Sequence, residues 1–258
     1  MNESRWLKGT VVGRRPWNGP VFSLLVDAAP LQFEAGQFVK LGLPALAGEP
    51  GDEGILGRPY SFVNAPAERP LEFLCIEVPG GPLSPRLARL APGDPIHVAR
   101  QPSGFLVLSE LPDAPSLWLI CTGTGIGPFL SILRTEAPWH RYGQVVLVQG
   151  TRLLQERTHL ELIEGLRVAH RRQFRSLSLV TREAVHESPA LLAGRIPQAI
   201  ADGRLEQAAG VALAPATAQV MLCGNPAMIA EVSETLKARG MRRHRRRTPG
   251  QISVETYW

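Results

Sequence analysis

The sequence is poor in cysteine, with three in 258 residues. Cys75, Cys121 and Cys223 are too few and too widely spaced for a disulfide framework or a cysteine-based metal motif. A plant-type iron–sulfur cluster requires more thiolates than the chain possesses, so the count excludes a built-in cluster. We therefore expect neither structural disulfides nor a metal centre.

Long apolar segments are also missing. No apolar run reaches the roughly 18 residues that a membrane-spanning helix needs. Residues 1–10 are mostly polar or charged where a secretory signal would need an apolar core. These absences predict a soluble, cytoplasmic protein that does not enter a membrane.

The composition is that of an ordinary globular protein with a basic surplus. Hydrophobic residues make up 44% and charged residues 20%, and the length fits roughly two domains. The 28 basic and 23 acidic residues give a net charge of +5. Such a surplus favours an acidic partner or ligand. Nucleic acid, an acidic protein and a phosphorylated cofactor all fit this charge.

The first hundred residues contain short apolar runs separated by glycine and proline, a pattern that predicts an antiparallel barrel or sandwich. A short helix is expected from Leu83 to Leu90, with Ser84 as its N-cap and Pro85 in its first turn. The predicted strands are 10–12, 21–26, 38–41, 60–63, 71–76 and 96–98.

After Pro112 the pattern changes to continuous apolar runs that alternate with helices, which predicts a parallel sheet covered on both faces. Helices are expected from about Pro128 and from Met228 to Lys237. We place the domain boundary at 102–112, which gives domains 1–105 and 106–258. The predicted strands are 117–121, 145–148, 177–180 and 220–223.

Two glycine turns follow strands of this predicted sheet. Residues 121–128 (CTGTGIGP) open a helix, and glycine there lets the backbone approach a pyrophosphate. Their spacing departs from G-x-G-x-x-G, and a tight turn without a ligand would look similar. Residues 223–226 (CGNP) end the fourth strand at the same edge of the sheet, where ligands bind in such folds. Cys223 could equally be a small buried apolar residue.

Three arginines follow strands or turns of the second half. Arg152, Arg182 and Arg195 are the residue type that binds the 2′-phosphate of NADP, whereas an NAD site would favour an acidic residue. Most arginines are simply solvated, so the argument depends on their position after strands.

The tetrapeptide Arg58-Pro59-Tyr60-Ser61 enters a predicted strand of the first half. A flavin needs a cation near its phosphate, a flat ring to stack on and a small hydroxyl near N5. Arg58, Tyr60 and Ser61 supply these three groups within one short stretch.

The motifs described so far are similar to those of a known family. The chain resembles bacterial ferredoxin–NADP⁺ reductases, and the aromatic ending Tyr257-Trp258 resembles the enterobacterial type. The matching motifs occur in order along nearly the whole chain: Arg58-Pro59-Tyr60-Ser61, Leu83-Ser84-Pro85-Arg86-Leu87, Gly123-Thr124-Gly125-Ile126-Gly127-Pro128, Gly194-Arg195-Ile196-Pro197, Cys223-Gly224-Asn225-Pro226 and Val254-Glu255-Thr256-Tyr257-Trp258.

The resemblance implies a six-stranded antiparallel β-barrel that binds FAD and an α/β parallel-sheet domain that binds NADP(H). It implies electron transfer between NADPH and a one-electron carrier, ferredoxin or flavodoxin. In such enzymes a hydride passes from nicotinamide C4 to flavin N5 and single-electron steps follow.

For the FAD site, the resemblance implies that Arg58 contacts the diphosphate, Tyr60 stacks on the isoalloxazine and Trp258 stacks on the adenine. Relatives often have lysine where this chain has Pro82. The implied FAD residues are Arg58, Pro59, Tyr60, Ser61, Cys75, Ile76, Pro82, Leu83, Ser84, Thr124, Tyr257 and Trp258.

For NADP, the resemblance implies that the second-domain arginines bind the 2′-phosphate side. Ser61, Cys223 and Glu255 would place the nicotinamide and handle protons, and we expect no covalent role for Cys223 because no histidine accompanies it. The implied NADP residues are Thr151, Arg152, Thr181, Arg182, Arg195, Cys223, Gly224, Asn225 and Pro226.

A basic run precedes the C-terminal motif and comprises Arg242, Arg243, Arg245, Arg246 and Arg247. Such runs are usually solvated surface. In the resembling family this run would form a basic rim near the flavin, where an acidic ferredoxin or flavodoxin docks. A nucleic-acid patch is disfavoured because no aromatic residues are interleaved with the run.

The remaining expectations concern the oligomeric state and the electron acceptor. We expect a monomer. A flavoenzyme with another acceptor, such as an oxygenase reductase or a free-flavin reductase, stays an alternative that the lack of cluster cysteines and the Trp258 tail disfavour.

Overall fold

The computed structural model describes residues 4–186 and 188–256, so the predictions for Tyr257 and Trp258 lie outside the described residues. Two six-stranded sheets organise this part of the chain. Among the helices described there, none has both the length and the apolar character needed to cross a bilayer.

The first sheet is antiparallel, with the spatial order β4-β3-β6-β1-β2-β5. Its two end strands meet where Phe62 pairs with Phe73 and the amide of Val63 donates to the Glu72 carbonyl at 2.9 Å. This contact closes the sheet into the expected barrel. Its strands are β1 (Trp6–Asn18), β2 (Val21–Ala28), β3 (Phe38–Pro44), β4 (Ile55–Ser61), β5 (Leu71–Ile76) and β6 (Pro95–Ala99).

Period-two patterning explains why these segments are strands. In β2, Phe22, Leu24 and Val26 are almost completely buried and point into the barrel. Neighbouring side chains of a strand point to opposite faces, so each alternate residue contributes to the core.

The second sheet is wholly parallel, with the spatial order β10-β9-β8-β7-β11-β12. The chain runs outward from β7 to β10 and then returns to the other side of β7. The carboxyl ends of β7 and β11 therefore form the switch point at which such sheets bind ligands. Its strands are β7 (Ser116–Thr122), β8 (Gln144–Thr151), β9 (Phe174–Val180), β10 (Leu191–Ala193), β11 (Ala218–Gly224) and β12 (Ile252–Thr256).

Apolar cores cover both faces of this sheet. Trp118 and Ile120 of β7 belong to one core, and Leu117 and Leu119 of the same strand belong to the other. This arrangement explains why the strands are apolar without interruption. The helices are α1 (Ser84–Leu87), α2 (Gly127–Leu133), α3 (Ala137–Arg141), α4 (Leu160–Ala169), α5 (Ile196–Ala201), α6 (Arg204–Ala209) and α7 (Pro226–Ala238).

Two local predictions for the barrel were wrong. The tetrapeptide from Arg58 to Ser61 ends β4 rather than beginning a strand. Helix α1 is shorter than expected, its N-cap is Leu83, and the Ser84 hydroxyl accepts from the amide of Val78 at 3.0 Å.

Candidate functional site

A cavity of about 530 Å³ lies at the carboxyl edge of the second sheet. Asn18, Pro20 and Val21, from the β1–β2 turn of the barrel, form one wall. The loops after the parallel strands form the other, so the cavity is a crevice between the two sheets. The sequence-predicted residues that line it are Ile76, Thr124, Thr151, Arg152, Thr181, Arg182, Arg195, Gly224 and Asn225.

The two glycine turns meet at the switch point. A Cβ on Gly125 would lie 2.6 Å from the Cys223 carbonyl oxygen, so only glycine allows this approach. The amide of Asn225 donates to the Thr122 hydroxyl at 2.9 Å. Asn225 also caps α7, because its side-chain oxygen accepts from the amides of Ala227 and Met228.

The three predicted arginines surround one end of the crevice. The Arg152 guanidinium pairs with Glu156 at 2.6 Å, and Arg195 pairs with Glu231 at 2.9 Å. The backbone of Arg182 donates to the Arg152 carbonyl at 2.8 Å, which ties the loops after β8 and β9 together. A basic, half-exposed surface of this kind suits a phosphate.

The buried hydroxyl of Thr151 also lies at this edge, and within the described part of the chain it has no hydrogen-bond partner. A buried polar group without a partner is costly, so such a hydroxyl is available to a ligand.

Ser61, Cys223 and Glu255 are far apart in sequence, and none of them is among the residues that line this crevice. Glu255 is the register partner of Cys223 across β12 and β11, and a Cβ on Gly104 would lie 3.0 Å from Glu255 Oε2. Ser61 belongs to the barrel, and a Cβ on Gly127, at the start of α2, would lie 3.8 Å from its Cβ. The structure thus makes Cys223 and Glu255 neighbours and places Ser61 where the barrel meets the second sheet.

Glu255 is the most perturbed carboxyl group of this junction. Burial raises its pKa from 4.5 to about 7. Its Oε1 atom is buried, and in residues 4–186 and 188–256 nothing is placed to hydrogen-bond to it. A carboxyl group that titrates near neutrality can hold or release a proton at the operating pH.

We expect Glu255→Gln to abolish the fall in the free energy of unfolding that Glu255 causes as pH rises. Between pH 4.5 and about 7 the unfolded chain releases a proton that folded Glu255 keeps, so wild-type stability falls as pH rises through this window. Across this window the free energy of unfolding of the variant should rise relative to that of the wild type. The total rise should be roughly 2 kcal/mol, a value that allows for the partial exposure of Glu255. Urea unfolding at a series of pH values measures this difference.

Glu161→Gln is the charge-matched control, because the Glu161 side chain is 94% exposed. It shows how much of any difference comes from removing a glutamate charge at the surface. A Glu255→Gln difference that is constant from pH 4.5 to 8 would contradict the perturbed pKa.

Cys75, Cys121 and Cys223 are all buried, and none of them is joined to another in a disulfide. Burial raises the pKa of the Cys75 and Cys121 thiols, which disfavours the thiolate. Among the described residues, no cluster of three or more His, Cys, Asp or Glu side chains could hold a metal ion.

The tetrapeptide lies on the barrel beside the junction. Burial, with a smaller effect of nearby Cys75, raises the pKa of the half-buried Tyr60 hydroxyl, while Arg58 is exposed and lowers it slightly. Ser61 is buried. The structure therefore places a ring, a cation and a hydroxyl in sequence along the end of β4.

The remaining predicted FAD and NADP residues lie outside the crevice lining. Cys75 is in the barrel core, Leu83 is buried, and Pro82 is exposed. Pro226 begins α7.

The sequence did not predict that the β1–β2 turn forms one wall of the crevice, or that Glu156 binds Arg152. Glu156 accepts from the Arg152 amide at 2.8 Å and from Arg152 Nε at 2.8 Å. A glutamate in a polar loop carries no local signal of such a role. The wall residues, such as Pro20 and Val21, likewise look like an ordinary turn and strand.

Comparison with known proteins places this geometry in a family. Residues 119–234 match the model of the oxidoreductase NAD-binding domain. A crystal structure of a ferredoxin NADP⁺ reductase from Neisseria gonorrhoeae with bound FAD and NADP superposes with a TM-score of 0.89, at 30% identity, over 99% of this chain and 100% of that chain.

Full-length sequence relatives agree. The flavodoxin/ferredoxin–NADP reductase of Escherichia coli is 42% identical over 98% of this chain and 99% of its own length. The ferredoxin–NADP reductase of Pseudomonas aeruginosa is 34% identical over 93% of this chain and 92% of its own. The higher identity to the enterobacterial protein agrees with the subgroup that the motifs indicated. The chain belongs to the ferredoxin/flavodoxin–NADP reductase family.

Proposed function

We propose that this protein transfers electrons between NADPH and a one-electron carrier, ferredoxin or flavodoxin, with FAD as its bound cofactor. The observation that carries the proposal is the crevice at the switch point. Three arginines surround one part of it, Glu255 pairs in register with Cys223 directly before the lining residue Gly224, and Ser61 lies beside Gly127 at the start of α2. The family of the chain supports the same activity.

The two sheets divide this work. We assign FAD binding to residues 1–105 and NADP(H) binding to residues 106–258, with the protein acting as a monomer in the cytoplasm. Two observations support this boundary. The barrel's last strand ends at Ala99, and Leu106 already packs in a core of the second sheet.

The barrel residues fit FAD. The Tyr60 ring offers a face for the isoalloxazine, Arg58 offers an exposed cation to the diphosphate, and Ser61 offers a small hydroxyl. When bound, FAD links the two-electron chemistry of NADPH to one-electron transfer. The backbones at Cys75, Ile76 and Leu83–Ser84 border the same end of the barrel, and Pro82 contributes no N–H there.

The second sheet fits NADP(H). Arg152, Arg182 and Arg195 bind the 2′-phosphate side, and the hydroxyl of Thr151 is available nearby. Gly125 and Gly224 bring the two turns close enough for a dinucleotide to lie across the switch point. Asn225 and Pro226 begin α7 beside it.

The residues at the junction orient the reactants and handle protons. Cys223 is fully buried and directly precedes Gly224, which lines the crevice. Glu255 holds a proton below about pH 7 at a buried carboxyl oxygen, beside the position assigned to the flavin edge. Ser61, on the opposite side, supplies a hydroxyl from the barrel.

The decisive experiment is to purify the protein and record its visible spectrum. We expect a yellow protein with flavin absorption that NADPH bleaches anaerobically, and that NADH bleaches far more slowly. A colourless protein that cannot be reconstituted with FAD would refute the proposal.

The carrier docks on a basic surface near Glu255. Phe105, adjacent to the Gly104 that contacts Glu255, is exposed and lies 4.5 Å under the Arg246 guanidinium. Arg246 is also paired with Glu110 at 2.5 Å, so it is held in place. The flanking arginines are exposed and supply the charge that attracts an acidic protein: Arg242, Arg243, Arg245 and Arg247.

We expect Arg245→Ser/Arg247→Ser to slow reduction of an acidic flavodoxin about tenfold at low salt, because steering charge is lost. Bleaching by NADPH should be unchanged. Stopped-flow rates at several salt concentrations measure both. Arg171→Ser/Arg172→Ser removes the same charge just before β9, at the opposite edge of the sheet, and should leave both rates unchanged. Equal effects of the two pairs would rule out a docking surface at the basic run.

A further inference from the structure

A buried polar cluster joins the barrel to the second sheet, and none of its members belongs to the site described above. It consists of Trp17, Ser23, Glu72, Arg134 and His159 and is called the interdomain cluster here. Trp17 donates to the Ser23 hydroxyl at 2.9 Å, and Ser23 donates to Glu72 at 2.8 Å. From the other side, His159 Nε2 lies 3.0 Å from the same Glu72 oxygen.

The charges of this cluster are well compensated. Burial alone would raise the pKa of Glu72, but hydrogen bonds from His159 and Ser23 and the charge of Arg134 hold it below its usual value. The Arg134 guanidinium lies 3.6 Å from the second carboxylate oxygen. Glu72 is therefore an ionised acceptor in the barrel, and His159 and Arg134, from the elements around the second sheet, contact it.

His159 is held in an unusual conformation. Its φ of +56° is left-handed, which residues other than glycine seldom adopt. The side chain is 5% exposed, and its ring packs against that of Trp17 with centroids 4.3 Å apart and the ring planes tilted by 40°. Such a conformation persists only when its surroundings fix it, and the contacts to the barrel do so here.

The loop that ends at His159 carries part of the crevice. Arg152, Glu156 and Thr158 all line the cavity. Glu156 binds the backbone and guanidinium of Arg152, and the Thr158 hydroxyl lies 3.0 Å from His159 Nδ1. Side-chain contacts at the two ends of this loop, joined by its backbone, thus connect Glu72 of the barrel to the guanidinium at the proposed phosphate site.

We propose that His159 is a positioning residue for the 2′-phosphate of NADPH, acting through the 152–159 loop and Arg152. The contact with Glu72 fixes this loop against the barrel and so holds Arg152 at the crevice. This inference rests on the proposed function, because it assumes that NADPH occupies the crevice.

The test compares two substitutions of similar size. His159→Leu removes the donor to Glu72, whereas His159→Gln keeps one. We expect His159→Leu to raise the KM for NADPH about tenfold, as loss of a charge-assisted hydrogen bond allows, with kcat and the KM for NADH within about twofold. His159→Gln should retain most of the wild-type preference for NADPH. Inhibition by adenosine 2′-monophosphate should weaken in parallel with the NADPH effect.

A matched control lies at the other end of α4. The His170 ring stacks on that of Trp139, in α3, with centroids 3.8 Å apart. Because this histidine–tryptophan contact involves no residue of the barrel, His170→Leu should leave the kinetics with both coenzymes unaffected. In a protein that already carries Arg152→Ala, the further substitution His159→Leu should change the KM for NADPH little. If it raises that KM as much as it does in the wild type, the inference is overturned. An unchanged NADPH-to-NADH preference in His159→Leu alone would also overturn it.

Bleaching of the wild type by NADPH distinguishes a failure of the proposed function from a failure of the inference about His159. If NADPH does not bleach the wild type, the proposed function fails and the inference fails with it. If the wild type is bleached and His159→Leu keeps its coenzyme preference, only the inference fails. Should His159→Leu not fold, Glu72→Gln makes the test from the barrel side. It should shift the preference in the same direction, and an unchanged ratio would again overturn the inference.

Discussion

Gly224→Ala is expected to abolish NADPH-driven reduction and to destabilise the protein by roughly 3 kcal/mol, since it combines backbone strain with a buried clash. Gly224 has a φ of +128°, which an L side chain rarely adopts. An added Cβ would lie 2.5 Å from the Thr122 hydroxyl and 2.7 Å from the Thr122 carbonyl oxygen. The turns after β7 and β11 would have to separate, and that separation would open the floor of the crevice.

Chemical unfolding and anaerobic bleaching by NADPH measure the two effects. Because one of the closest atoms belongs to the backbone, Thr122→Ala should not rescue the variant. Gly165→Ala is the matched control, since it lies within α4 and an added Cβ would meet nothing within 4 Å. It should stabilise the helix by about 1 kcal/mol at most. A stable, active Gly224→Ala variant would show that these turns tolerate separation.

Arg182→Ala/Arg195→Ala is expected to lower the preference for NADPH over NADH on the order of 10²- to 10⁴-fold, because each charge-assisted hydrogen bond contributes about 1.5–3 kcal/mol. The loss should appear in the KM for NADPH, because a 2′-phosphate distant from the reacting carbon contributes binding equally to ground and transition states. The kinetics with NADH should change little. Steady-state reduction of an artificial acceptor with each coenzyme gives the ratio.

Arg167→Ala serves as the control for the general effect of removing an exposed arginine. Arg167 pairs with Glu164 on α4 and is not among the residues that line the crevice. Its coenzyme ratio should equal that of the wild type. If the double variant also keeps the wild-type ratio, the assignment of Arg182 and Arg195 to the phosphate is wrong.

The sequence predicted the strands that carry the site because their patterns are local. The run from Leu117 to Cys121 is apolar without interruption, as a strand covered on both faces requires. The glycines after β7 and β11 were recognisable for a similar reason, since a tight strand–helix turn requires them. The ordered motifs indicated the family, and the comparisons confirmed it.

Elements whose formation depends on distant partners were not predicted. Strand β12 (Ile252–Thr256) is placed in the sheet by pairing with β11, and β10 (Leu191–Ala193) by pairing with β9. Both are short, so their sequences alone do not distinguish a strand from a loop. Yet β12 places Glu255 beside Cys223, so a part of the site depends on pairing that no local pattern reveals.

The sequence by itself determined the two-sheet architecture, the glycine turns, the arginines after the strands and the family. Only the tertiary structure decided how these parts act together. It buried Glu255 and raised its pKa to about 7, and it bound Arg152 to Glu156. It also connected His159 to Glu72, 87 residues away. Burial and long-range hydrogen bonds arise from the packing of distant segments, whereas periodicity and turn chemistry belong to neighbouring residues.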